Sequence, residues 1–293
     1  MGGAEPLLPP TAEVASGFLD AAGLVERRRE ERIDRRMLGW LHLIDGAVVG
    51  ALLSAVLVSM QWGPPGRQIP LLIIVALVIW MECAGELRDR TGFQQSWLRS
   101  WSVPYLIVFV PTMALGLMPP GDLPSDLLVL VPLVVSLVAF GSLATKQWRS
   151  ARPDESVVRA ESERFTGRAA ISTTVVGALI GAMIAAVGLG DPASGSVVAL
   201  VLMCVLLGIT IAKRAWASVP GLAQGWRRPQ WIALSVAAVV FLALIGLGAW
   251  TSLVTIQVSL SAGAAVFAMF LVVSGIGVVM RDVSSNRRNA EHR

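Results

Sequence analysis

Eight apolar runs, each near the length a helix needs to cross the roughly 30 Å hydrocarbon core of a bilayer, dominate this 293-residue chain. They are Met37 to Met60, Pro70 to Leu87, Val103 to Met118, Ser125 to Thr145, Ala169 to Leu189, Gly195 to Ala212, Trp231 to Ala249 and Val254 to Met280. The third is short and the last is long. Only 15% of the residues are charged and the mean hydropathy is +0.68, whereas an ordinary soluble domain is about a quarter charged. Inside lipid the backbone must satisfy its own hydrogen bonds. The expected fold class is therefore all-α, a polytopic membrane protein with eight transmembrane helices.

The runs are not independent. Val48-Val49-Gly50-Ala51-Leu52 recurs as Val175-Val176-Gly177-Ala178-Leu179, and the same offset of 127 residues lays the first four runs onto the last four. Self-similarity at one fixed offset marks a duplicated unit, so two tandem four-helix repeats are expected. Four is an even number of crossings, and both repeats then enter the membrane in the same sense, related by a parallel pseudo-twofold axis along the membrane normal. The segments are a leader at 1–36, a first repeat at 37–145, a linker at 146–168, a second repeat at 169–280 and a tail at 281–293. Gly46 with Gly50 and Gly177 with Gly181 form small-xxx-small pairs, a pattern that brings helix backbones close together. In the leader, Pro and Gly at 1–10 predict disorder. Val14, Phe18, Leu19 and Leu24 then precede a dense Arg/Glu run. That pattern fits an amphipathic helix on the membrane surface, one continuing into the first span, or a solvated charged tail.

Charge distribution supplies an orientation. Of the 24 Lys and Arg, all but Arg67 fall in 1–36, 88–102, 146–168, 213–230 and 281–293, the segments that one side of the membrane would hold. This positive-inside pattern places both termini in the cytoplasm of a multi-pass protein of the plasma or inner membrane. The basic loops are expected to meet anionic lipid headgroups. Nucleic acid is excluded as a partner, because these short loops build no folded basic face. Tryptophans mark the two interfaces: Trp40, Trp97, Trp101, Trp148, Trp216, Trp226 and Trp231 on the inner side, Trp62 and Trp250 on the outer. Trp80 lies within a span. No cleavable signal peptide is visible, so the first helix is expected to direct insertion. Cys83 and Cys204 lie within spans, without zinc-type spacing or a disulfide framework.

Ionisable groups inside a bilayer are costly, about 2.5–3.5 kcal/mol each on insertion scales, and are functional candidates for that reason. His42 and Asp45 share one face of the first span, and Glu82 and Glu86 share one face of the second. Antiparallel neighbours would bring all four to a similar depth, where they could form a proton relay, a cation site or a divalent-metal site. Structural readings stand beside this. Glu86 is near enough to the interface to be solvated, with Arg88 and Arg90 as ready partners, and His42 and Asp45 could simply hydrogen-bond each other. The offset pairs Glu86 with Lys213, Asp45 with Ser172, His42 with Ala169 and Glu82 with Ile209. Lys213 would form an ion pair with Glu86 across the pseudo-axis if the two approach it; snorkelling to the inner surface is the expectation. Pro111 and Pro132 are candidate helix breaks in the third and fourth spans, and Pro104 reads as punctuation at a helix start.

No phosphate-binding lysine loop, His-Glu-x-x-His or Gly-x-Ser-x-Gly is present. The expected function is a transporter or permease for a small or amphipathic solute, coupled to protons through the acids of the first repeat, with no catalytic residues, cofactor or resident metal. The alternatives are a non-catalytic membrane subunit that needs a protein partner, and a membrane enzyme acting on a lipid or isoprenoid at the cytoplasmic face. Only the last would call on a divalent metal.

Overall fold

The computed structural model describes residues 16–18, 20–21, 23–24, 34–62, 69–90, 102–118, 126–151, 167–189, 191–215, 221–251 and 253–291. The leader's first ten residues, most of the linker, the loop carrying Arg67, and Trp97, Trp101 and Trp216 lie outside them. Each of the eight apolar runs is a helix: α1 (Arg35–Gln61), α2 (Ile69–Arg90), α3 (Ser102–Gly116), α4 (Val131–Ser150), α5 (Gly167–Ala186), α6 (Pro192–Ala215), α7 (Arg228–Trp250) and α8 (Ile256–Glu291). Seven are long and apolar enough to cross a membrane; α3 is apolar but shorter. The architecture is that of a polytopic helical membrane protein. Large apolar side chains such as Val110, Leu200 and Val239 stand exposed on outer helix faces, which water would penalise and lipid accommodates.

Local chemistry sets several boundaries. Asp34 caps α1, its Oδ1 accepting the Met37 backbone N–H at 2.9 Å. The cap starts a new helix at Arg35, so the leader does not run on into the first span. Within the leader, residues 16–18, 20–21 and 23–24 are helical, with Phe18 and Leu24 exposed. Asp191 precedes α6 and accepts the hydroxyl and backbone N–H of Ser194 at 2.7 and 2.9 Å. These hydrogen bonds hold its carboxyl below the ordinary carboxylate range. The two candidate helix breaks differ. Pro111 sits inside α3 and withholds an N–H from the preceding turn. Pro132 breaks no helix: it lies in the first turn of α4, directly after the 3₁₀ turn Asp126–Leu130, where a missing N–H is tolerated. The last helix does not stop near Met280 but continues to Glu291.

Successive helices alternate in direction. Trp40 meets Trp148 at one end, with ring centroids 5.3 Å apart, and Trp62 meets Trp250 at the other, 6.0 Å apart. We call the first the entry side, since the chain enters α1 there. The most extensive packing joins α1 to α4 and α5 to α8. Glycines permit both approaches. A Cβ on Gly50 would come 2.7 Å from Leu133 Cα, and one on Gly46 would come 2.9 Å from Phe140 Cβ. In the second set, Gly177 lies against Phe270, and a Cβ on Gly181 would come 2.8 Å from the Gly263 carbonyl oxygen. Gly46 and Gly177 thus do the same packing job 131 residues apart, one helical turn away from the offset of the repeated string.

The two sets do not have separate interiors. One apolar core runs from Leu52, Ile73 and Ile79 of α1 and α2 to Val176, Leu206, Phe241 and Phe270 of α5 to α8. Two helices join the sets: α2 touches α5 and α6, and α1 touches α7. A substitution test follows from the glycine contacts. Gly50→Val should lower stability by about 1–3 kcal/mol through overpacking, read as an earlier thermal unfolding midpoint in detergent. Gly85→Ala, which meets nothing within 4 Å, should be neutral or slightly stabilising. Equal effects at the two sites would contradict the tight α1–α4 contact.

Candidate functional site

The ionisable side chains of the spans gather on two opposite faces of α2. At about 100° per residue, Trp80 and Arg88 point one way and Glu82 and Glu86 roughly 180° away. The first pair faces α1 and the second faces α6.

On the α1 face, Asp45 is fully buried and accepts two hydrogen bonds. The Arg88 Nη2 lies 2.7 Å from its Oδ2, and the Trp80 Nε1 lies 3.0 Å from its Oδ1. Arg88 is itself 6% exposed. His42, one turn before Asp45 on α1, is buried beside the Arg88 guanidinium. Tyr105 of α3 comes up to the same guanidinium with its hydroxyl and closes the cluster. Asp45 therefore bonds to α2, and it is Arg88, expected as a partner for Glu86, that supplies its countercharge.

On the α6 face, Lys213 forms an ion pair with Glu86, so the expected snorkelling of Lys213 to the surface does not occur. Two positions 127 residues apart are in direct contact. One turn deeper, Glu82 accepts the Thr210 hydroxyl at 3.3 Å. Among the described residues Glu82 makes no salt bridge. Thr210 also donates to the Leu206 carbonyl at 3.0 Å, the usual back-bond of a hydroxyl within a helix. Glu86 is nearly covered while Lys213 is a third exposed, which places this pair at the edge of the protein's interior.

The turn between α6 and α7 completes the second cluster. Its backbone at Gly221 lies directly on the Glu86 carboxylate, so that a side chain there would have to displace the end of Glu86. Leu222, Ala223 and Trp226 are buried in the main core, and Gly225 takes a positive φ of 75° that allows the chain to double back. The Arg227 N–H donates to Gln230 Oε1 at 3.0 Å and anchors the turn to the start of α7.

The four acid and imidazole candidates thus lie at neighbouring levels of α1 and α2 but do not form one cluster. Asp45 and His42 belong to the Arg88 group, Glu82 and Glu86 to the seam with α6. Sequence reasoning missed Arg88 and Trp80 as partners of Asp45. The 3.6-residue period carried the signal, since it sets Trp80 and Arg88 opposite the two glutamates. Among the described residues, no three His, Cys, Asp or Glu side chains gather where they could hold a metal ion. No protein-family model matches this chain, and neither a curated protein nor a solved structure is similar to it.

The Asp45–Arg88 pair has a direct energetic test. Removing one partner strands a buried charge and typically costs about 3–5 kcal/mol, whereas replacing both by apolar groups is often neutral. Arg88→Met alone should sharply lower the thermal midpoint in detergent. Asp45→Leu combined with Arg88→Met should recover most of the loss. A double variant no better than the single would show that Arg88 acts elsewhere.

Proposed function

We propose that the chain is a transporter for a small or amphipathic solute, with its pathway along the seam between α2 and α6 and Glu82 as the proton-carrying group. The observation that carries this reading is Glu82 itself. It is an acid about 12 Å from the end of α2, partly exposed, holding one threonine hydroxyl and no countercharge among the described residues. Intramembrane acids of this kind mark ion and proton paths. Asp45, bound by Arg88 and Trp80, instead fixes α1 to α2.

The reading includes two tandem repeats. If the offset of 127 relates the two repeats, Glu86 and Lys213 are equivalent positions in contact, and such a contact arises only near the axis relating them. The seam would then lie on the pseudo-twofold axis, where transporters with parallel repeats place their solute sites. The distribution of Lys and Arg assigns the entry side to the cytoplasm.

One observation favours a second reading, a non-catalytic membrane subunit: Asp45 and Glu86 are each neutralised inside the chain, as a purely structural network would be. Stoichiometric co-purification of a partner without any flux would select it. The transport reading is tested in proteoliposomes loaded with a pH-sensitive dye and challenged with a panel of small and amphipathic solutes. Solute-evoked proton flux should appear with the native chain and fall at least roughly tenfold in Glu82→Gln, the scale expected for loss of a proton carrier. Flux unchanged in Glu82→Gln, or absent from the native chain across the panel, would contradict the reading.

A further inference from the structure

We propose that the turn Gly221–Trp226 is a plug over the entry-side end of the α2–α6 seam, and that the Glu86–Lys213 ion pair is its latch.

Three observations converge on this stretch. A connection between helices normally runs over the surface, where water satisfies its backbone. Here Leu222, Ala223 and Trp226 are 3%, 1% and 3% exposed and belong to the main core. The turn instead satisfies part of its backbone internally: Gln224 N–H donates to the Gly221 carbonyl at 3.2 Å, Trp226 N–H donates to that of Ala223 at 3.1 Å, and Gly221 N–H donates to Gln224 Oε1 at 3.3 Å. It is therefore a preformed turn, seated in the core through Trp226, whose ring centroid lies 5.3 Å from that of Trp231 and 6.3 Å from that of Phe270. Its far end is fixed to α7 by Arg227 and Gln230, and its near end rests on Glu86 through Gly221.

Glu86 is thus held from two sides, by Lys213 of α6 and by the backbone of the turn. Its carboxylate stays under Gly221 only while Lys213 draws it toward α6. Without that pull, the carboxylate is a charge at the edge of the interior with water close by, and hydration would move it outward against the turn. Glu82 lies one turn deeper on the same face, so the plug sits between Glu82 and the entry side. This proposal concerns the turn alone and stands apart from the transport reading, because its test reads accessibility and not flux.

The test uses full-length chain in membrane fragments open on both sides, with Cys83 and Cys204 replaced by Ala and a single cysteine introduced as Ala223→Cys. Labelling by a membrane-impermeant maleimide should be slow when the latch is intact. Lys213→Gln should raise the labelling rate roughly fivefold, as expected for losing one partly exposed ion pair, whereas Glu86→Gln, which leaves no carboxylate to hydrate, should keep it slow. Gly221→Ala, which changes no charge but intrudes on the carboxylate, should raise it as Lys213→Gln does. The exchanged pair Glu86→Lys with Lys213→Glu should restore protection. Val49→Cys, on fully buried α1 packing, serves as the control for global unfolding and should stay unreactive throughout. Equal labelling of Ala223→Cys in every background, protection persisting in Gly221→Ala, failure of the exchanged pair to restore it, or exposure of Val49→Cys together with Ala223→Cys would each overturn the proposal.

Discussion

A charge in hydrocarbon has no water to solvate it, and the helices of this protein are arranged around that constraint. The spans carry few ionisable groups, and α2 holds the largest share. Burial of Asp45 is tolerable because Arg88 and Trp80 reach it from α2. Glu86, on the opposite face, is neutralised by Lys213 of α6. With a countercharge to satisfy on each side, α2 cannot rotate about its axis without stranding two charges at once. It is held between α1 and α6, and with the contact of α1 on α7 it joins the two four-helix sets.

Glycine-mediated packing provides the frame around this joint. Gly46 and Gly50 let α1 lie against α4, and Gly177 and Gly181 let α5 lie against α8. Lipid tails are as apolar as leucine, so close backbone approach supplies van der Waals contact where the hydrophobic effect between helices is weak. The two sets then share one apolar core across α2, α5 and α6. The polar groups of the α6 face lie at the entry-side margin of that core, where Gly221 of the following turn rests on the Glu86 carboxylate.

Much of the fold was legible in the sequence, because the bilayer imposes a length and a polarity that a chain cannot disguise. All eight apolar runs are helices, the last running on well past its expected end to Glu291, and both small-residue pairs do the packing expected of them. The offset of 127 pairs Lys213 with Glu86, and the ion pair between them depends on α2 and α6 being adjacent, which no single run reveals. The site was less legible. Depth along a helix follows from counting residues, and by depth alone Asp45, Glu82 and Glu86 looked like one cluster. Which neighbour each face meets is a tertiary property, and it assigned Arg88 to Asp45. The buried turn was missed because loops are expected to be polar and exposed; its Leu222, Ala223 and Trp226 were the available signal. The repeated string misled by one turn, since sequence identity at Gly50 and Gly177 does not coincide with equal packing at Gly46 and Gly177.

The two-faced placement of α2 is the claim on which the rest stands. Short-span thiol cross-linking in native membranes tests it most directly, on chains whose Cys83 and Cys204 have been replaced by Ala. Cysteines introduced as Glu82→Cys and Thr210→Cys should cross-link with a bifunctional thiosulfonate reagent about 5 Å long, the reach of a hydrogen-bonded side-chain pair, whereas Trp80→Cys with Thr210→Cys should not. Efficient cross-linking of the Trp80→Cys pair together with failure of the Glu82→Cys pair would place the opposite face of α2 against α6 and contradict the account.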